Sequence, residues 1–184
     1  MSSGRERMLQ AIAAALSEQP RLSMEQLAKA IGVSRATLAR MFPKREDLIA
    51  QLHASALERG VRAIDEVCPE RGPVPDVIRR FVEAVFPEAD LHFFLYRIER
   101  HGGPQGADDD WAPSAQRLLR LFQRGQEDGT LRVDMPALWM LDTLAALLFA
   151  AAEAVRAGRL ARAEAPTLVC SGLLDGIGRR PGSR

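Results

Sequence analysis

The sequence predicts an all-α protein, and three observations carry that prediction. Alanine and leucine dominate while β-branched residues are sparse, a composition that favours helix over strand. The chain is 47% hydrophobic but only 5% aromatic. Apolar residues also recur at spacings of three and four along most of its length, the signature of helices with one buried face. The expected architecture is an N-terminal three-helix head containing a helix-turn-helix, followed by an all-helical body, with about nine helices in total. At 184 residues the chain is the size of one large domain or two small ones and can bury a substantial core.

Residues 5–17 place Met8, Leu9, Ile12, Ala13 and Leu16 on one helical face, and Pro20 ends that helix. Ser23 and Gln26 form a capping box for a second helix over about residues 23–30, which Gly32 closes by supplying a left-handed residue. Ser34 is a good N-cap for a third, short helix ending near Met41, because Pro43 disfavours helix at Phe42. Leu27, Ala28, Ile31, Val33, Leu38 and Phe42 can then share one small core, while Ser34, Arg35, Ala36, Thr37, Ala39 and Arg40 face out. Glu46 and Asp47 open a fourth helix, sustained by Leu48, Leu52, Ala56, Val61, Ile64 and Val67.

Pro69, Gly72, Pro73 and Pro75 mark residues 69–75 as a loop before helices over residues 76–85 and 88–101. Residues 101–110 read as the least structured stretch, and Trp111 restarts helix up to about Glu127, where Asp128-Gly129 turns the chain. Pro136 suits the first turn of a helix reaching Ala157, a last helix spans residues 166–177, and the tail frays. The expected domains are a helix-turn-helix unit over residues 1–47, a body over 48–180 that binds ligand and dimerises, and a flexible tail over 181–184.

Residues 1–57 hold 8 Lys/Arg against 5 Asp/Glu, a balance of +3, while the rest holds 17 against 19, a balance of −2. That asymmetry fits a nucleic-acid-binding end joined to something else. Cys68 and Cys170 are far apart and lack metal-ligand spacing, which points to a reducing cytoplasm. Arg5 and Arg7 ahead of Met8–Leu16 imitate a signal peptide, but Gln10 interrupts the run and no clean cleavage site follows. Residues 135–152 have the length of a membrane span, yet Asp142 beside Thr143 is costly in lipid, so a buried helix is expected and no membrane partner.

Signals of catalysis are thin. His53, His92 and His101 lie on or beside different helices, with no H-E-x-x-H, no G-x-S-x-G and no glycine-rich phosphate loop. The Asp108–Asp110 run near His101 reads as a solvated acidic loop, and the lone cysteines as packing residues. Neither enzyme activity, nor a cofactor, nor a metal is expected.

The helix-turn-helix makes double-stranded DNA the expected partner. An arginine fork at Arg35 can bond guanine O6 and N7, a contact worth roughly 1–3 kcal/mol of base discrimination. Ala36 can touch a thymine methyl, and Ser34, Thr37, Arg40, Lys44 and Arg45 can bind phosphate and set register. One short recognition helix reads few base pairs, so paired half-sites and a homodimer are expected. Leu141, Ala145, Leu148 and Ala152, joined by Leu173, Leu174 and Ile177 on the last helix, form the candidate dimer interface. Phe86, Phe93, Arg97, Trp111, Phe122 and Trp139 are candidate ligand contacts, with plain core as the competing reading.

Ala28, the run Ile31-Gly-Val-Ser-Arg-Ala-Thr-Leu38, then Phe42-Pro43, Arg45-Glu46 and Leu48 give residues 5–52 a pattern that resembles the TetR family of bacterial transcriptional regulators. Arg124-Gly-Gln-Glu-Asp-Gly-Thr-Leu131 is similar to a turn common in those proteins. The resemblance implies a homodimer on a palindromic operator, repressing nearby genes until a small-molecule effector enters the body. It also makes Ser23 and Thr37 phosphate contacts, Arg35 and Ala36 base readers, and Arg45 the counterpart of a phosphate-binding lysine. Where family members often carry a tyrosine pair and a histidine, this chain has Ala39, Arg40 and Met41, which leaves backbone anchoring to Arg40 and Arg45. The alternative is a DNA-binding regulator whose body answers to a protein partner or to no ligand.

Overall fold

The structure is a computed structural model that describes residues 4–89, 91–92 and 107–178, the side chains of 107–112 excepted. Its helices are α1 (Gly4–Glu18), α2 (Met24–Ala30), α3 (Arg35–Met41), α4 (Arg45–Val67), α5 (Val74–Val85), α6 (Ala107–Glu127), α7 (Ala137–Arg156) and α8 (Ala165–Ile177), with a 3-10 turn at Phe86–Glu88. Among the described residues there is no β-strand, only an isolated antiparallel bridge between Leu131 and Gly178. The all-α expectation holds. Of the helix expected over residues 88–101, the structure describes Glu88, which closes the 3-10 turn, and Ala89, Leu91 and His92, which are helical. Asp108–Asp110, expected as loop, lie inside α6.

Two compact units divide the chain: residues through Arg59 together with the segment from Glu88, and Gly60–Pro87 together with the residues from Asp108 on. The first unit runs further along α4 than the head expected over residues 1–47, because Leu52 and Ala56 complete its core. That core gathers Leu9, Ile12, Ala13 and Leu16 of α1, Leu27 and Ala28 of α2, Leu38 of α3, then Phe42 and Leu48. These are the apolar positions the 3.6-residue period selects, and burying each leucine contributes roughly 1.5–3 kcal/mol.

The second unit rests on the apolar face of α5, where Val74, Val77, Ile78, Phe81 and Val82 are buried, and α8 packs against both α5 and α7. Its turn after α6 is tightly specified. A Cβ on Gly125 would meet the Leu131 side chain at 2.6 Å, so only glycine permits the close approach. Asp128 accepts from the Thr130 N–H and hydroxyl, bonds that hold its carboxyl below the ordinary aspartate value. Arg132 N–H then donates to Ile177 O at 2.9 Å, tying the turn to the end of α8.

Three arginines of this unit hold the exit of α4. Arg80 donates to Val67 O, Arg124 donates to Pro69 O and Glu70 O, and Arg117 bonds both Glu70 and Asp65. Carbonyls at a helix C-terminus carry partial negative charge and lack intrahelical donors, the need that Arg80 meets at Val67, while Arg124 and Arg117 fix the loop that follows. The Arg117 bonds pull the Glu70 carboxyl below its usual range.

Candidate nucleic-acid interface

The exposed side of α3 is set by caps that the sequence encodes locally. Ser23 accepts from Gln26 N–H at 3.2 Å while Gln26 Oε1 accepts from Ser23 N–H at 2.9 Å, completing the capping box. At the other end of α2, Gly32 takes φ 73°. Val33 N–H donates to Ala28 O and Gly32 N–H to Lys29 O, the paired bonds of a Schellman turn. The chain then enters α3 through Ser34, whose Oγ accepts from Thr37 N–H at 3.0 Å. Phe42 closes α3 ahead of Pro43, and Asp47 accepts from Lys44 N–H to start α4.

With Leu38 buried beneath it, α3 presents Arg35, Ala36, Ala39 and Arg40 to solvent, flanked by exposed Ser34 and Lys44. Thr37 is half-buried. The Arg35 side chain is 76% exposed, and its one ion pair among the described residues, to an equally exposed Glu25, is loose at 3.8 Å. Such a surface pair contributes little, so the fork can turn to another acceptor. Ser34 Oγ and Thr37 Oγ1 lie 2.8 Å apart and share one hydroxyl proton. One of their two protons is therefore left to donate outward, which allows the pair one phosphate contact rather than two. Ser23, whose Oγ accepts in its cap, likewise retains its hydroxyl proton.

Arg45 departs from the expectation of a free phosphate-binding arm. Its Nη1 donates to Leu22 O and its Nη2 to Pro20 O, each at 2.7 Å. The guanidinium therefore braces the loop before α2, and it positions Ser23 through that loop. Nothing local in the sequence signals this, because the two carbonyls lie more than twenty residues away. Arg40 and Lys44 beside α3 are both exposed, and no side-chain bond holds either among the described residues.

The candidate ligand and interface residues of the second unit separate on burial. Phe86 and Phe122 are buried, but Trp139 is 60% exposed and does not sit in an enclosed lining. Phe93, Arg97 and the Trp111 side chain lie outside the described residues. Among the interface candidates, Ala152, Leu173 and Ile177 are buried inside their own unit because α8 turns that stripe toward α5 and α7. They are not available to a partner. Leu141, Leu148 and Leu174 are half-buried and Ala145 is exposed.

On α7 and α8 the exposed apolar positions include Leu138 at 57%, Trp139 at 60% and Leu168 at 55%, with the candidate Ala145 and its neighbour Ala146 further along α7 and Ser171 and Gly172 further along α8. The buried helix expected over residues 135–152 is thus corrected to a partly exposed one. The α7 helix is apolar enough to cross a membrane by length and composition, but only 22% of its most apolar window is buried in the chain.

Residues 9–52 match the family model described as bacterial regulatory proteins, tetR family. The chain is 30% identical over 159 residues to the HTH-type transcriptional regulator NfxB of Pseudomonas aeruginosa, an alignment covering 85% of this chain and 84% of that protein. It is 33% identical over 99 residues, 52% of each chain, to the HTH-type transcriptional repressor LfrR of Mycolicibacterium smegmatis. The solved structure of LfrR in complex with proflavine superposes with a TM-score of 0.71 at 27% identity, covering 95% of this chain and 98% of that one.

Proposed function

The chain belongs to the TetR family of bacterial regulatory proteins and is a DNA-binding transcriptional regulator; from that premise we propose that it acts as a homodimeric repressor, released from a palindromic operator by a small molecule. In this reading it works in the cytoplasm, performs no catalysis and needs no cofactor.

The observation that carries the reading is the pairing of two faces: a polar, cationic α3 surface on the first unit and an unpartnered apolar stripe on α7 and α8 of the second. Arg35 reads guanine, and Ala36 and Ala39 let the α3 backbone approach the groove floor closely. Arg40, Lys44, Ser23 and the Ser34–Thr37 pair hold phosphates and set register, while Arg45 positions Ser23. The α7–α8 stripe around Leu138, Trp139, Ala145 and Leu168 joins two copies into a four-helix interface, with small residues permitting close approach. Repression is supported by the repressor LfrR, and a small-molecule effector by its complex with proflavine.

Operator binding tests the proposal. The purified protein should prefer the promoter region beside its own gene to random DNA at about 0.15 M salt, and it should sediment as a dimer. Equal affinity for both DNAs would sink the repressor reading.

A further inference from the structure

The first unit holds a buried polar cluster that neither its apolar core nor its cationic face explains. Gln10 of α1 donates through Nε2 to both carboxylate oxygens of Glu88, at 3.0 and 3.1 Å. Arg59 of α4 pairs with the same carboxylate through Nη1, and the two charged side chains are only 12% and 19% exposed. His92 follows four residues after Glu88, near enough for both charges to act on its ring. Burial pushes its imidazole below the ordinary histidine value, which leaves it neutral at neutral pH.

Two polar atoms of this cluster, Arg59 Nη2 and His92 Nε2, are buried with no partner among the described residues. Buried polar groups without partners are rare in native structures, and each calls for an explanation, a functional role or a bound group among them. The charge balance narrows what such a site accepts. Arg59 and Glu88 cancel and His92 is neutral, so an anion meets Glu88 and a cation meets Arg59. The Glu88 oxygens already accept from Gln10 and Arg59, so donors are what the cluster has to offer. Ala56, one turn before Arg59, and Leu91, beside His92, belong to the apolar core, which favours a ligand that is otherwise apolar.

We propose that Arg59 Nη2 and His92 Nε2 are the donor pair that recognises the carbonyl oxygen of a neutral, otherwise apolar effector. The inference rests on the effector-binding reading above and names the chemical class it takes. A carbonyl oxygen has two lone pairs, one for each donor. In this role His92 carries its proton on Nε2, and Gln10 with Glu88 are positioning residues that hold the Arg59 guanidinium in place.

The test compares acetophenone with ethylbenzene, two molecules of similar shape of which only the first has a carbonyl, by calorimetry and by the imidazole nitrogen resonances of labelled full-length protein. Acetophenone should bind about tenfold more tightly, the effect of roughly one net hydrogen bond, and should move the His92 Nε2 resonance. The preference should vanish in His92→Phe. It should also vanish when Arg59→Met and Glu88→Met are combined, a pair that leaves no lone charge buried. Equal binding of the two probes, or an unmoved His92 resonance in the wild-type protein, overturns the inference without any variant having to fold. Operator preference of the ligand-free protein is a separate readout that decides the regulator reading alone.

Discussion

The α2–α3 pair and the α7–α8 pair are both adjacent helices on an apolar core, and they leave opposite surfaces open. In the first pair the apolar side chains are turned inward, down to Leu38 at 1% exposure, and what remains outside is short, polar or cationic. In the second pair one apolar stripe is consumed internally and another, with Trp139 and Leu168, is left facing out. A surface of the first kind suits a hydrated polyanion whose contacts are hydrogen bonds and charges. A surface of the second kind suits another protein, since exposed apolar patches on soluble chains mark association sites. The contrast teaches that partner type is written in what a helix pair leaves uncovered rather than in how it packs.

The largest effect expected is on the second pair. Trp139→Glu combined with Leu168→Glu changes only exposed side chains, so the fold should persist while sedimentation shows a monomer. Operator affinity should then fall by about 10²–10⁴, the avidity lost with the second head. A variant that stays dimeric would break the comparison, because the stripe would then have another use. Next in size is the core beneath the first pair: Leu38→Ala should cost about 2–5 kcal/mol in urea unfolding. The neighbouring exposed Ala39→Ser should cost less than about 0.5 kcal/mol.

Within the DNA-facing surface the comparison sharpens to single residues. Arg35→Ala should reduce discrimination between operator and mismatched sites by about 1–3 kcal/mol. Lys44→Ala should weaken all DNA alike and flatten the salt dependence by about one unit. Binding titrations across salt concentrations separate the two, and the reverse pattern would exchange the roles. A smaller effect concerns pH. Because the His92 value is lowered in the folded protein, the unfolded chain takes up a proton first as pH falls below about 6.5. Stability should therefore decline toward acid by at most about 1.4 kcal/mol per pH unit, and His92→Phe should remove that slope. Comparable in size is Gly32→Ala at φ 73°, expected to lower stability by about 1 kcal/mol.

What the sequence made legible follows the range of each interaction. The capping box at Ser23 and Gln26, the Ser34 cap and the Gly32 turn each act within a few residues, so their identities specify their geometry. The identity of apolar positions on α7 and α8 was equally plain. Which stripe turns inward was not, because periodicity marks a helix's apolar side without saying what covers it, and so Leu173 and Ile177, expected at an interface, are buried while Leu138 and Leu168 stay exposed. Arg45 was read as a phosphate arm because it stands where the resembled family places a phosphate-binding lysine; its bonds to Pro20 O and Leu22 O depend on a tertiary approach that no local pattern encodes. The acidic run at Asp108–Asp110 was read as loop, yet acidic residues suit the first turn of a helix, where the macrodipole is positive.

The openness of α7 also bears on the life of the chain before any partner is met. A helix of this length and apolar composition is one that translocation machinery can take for a membrane segment. Asp142, exposed near the middle of its apolar run, opposes that outcome by roughly 2.5–3.5 kcal/mol. A single carboxylate thus helps keep the apolar face of a newly made chain in water.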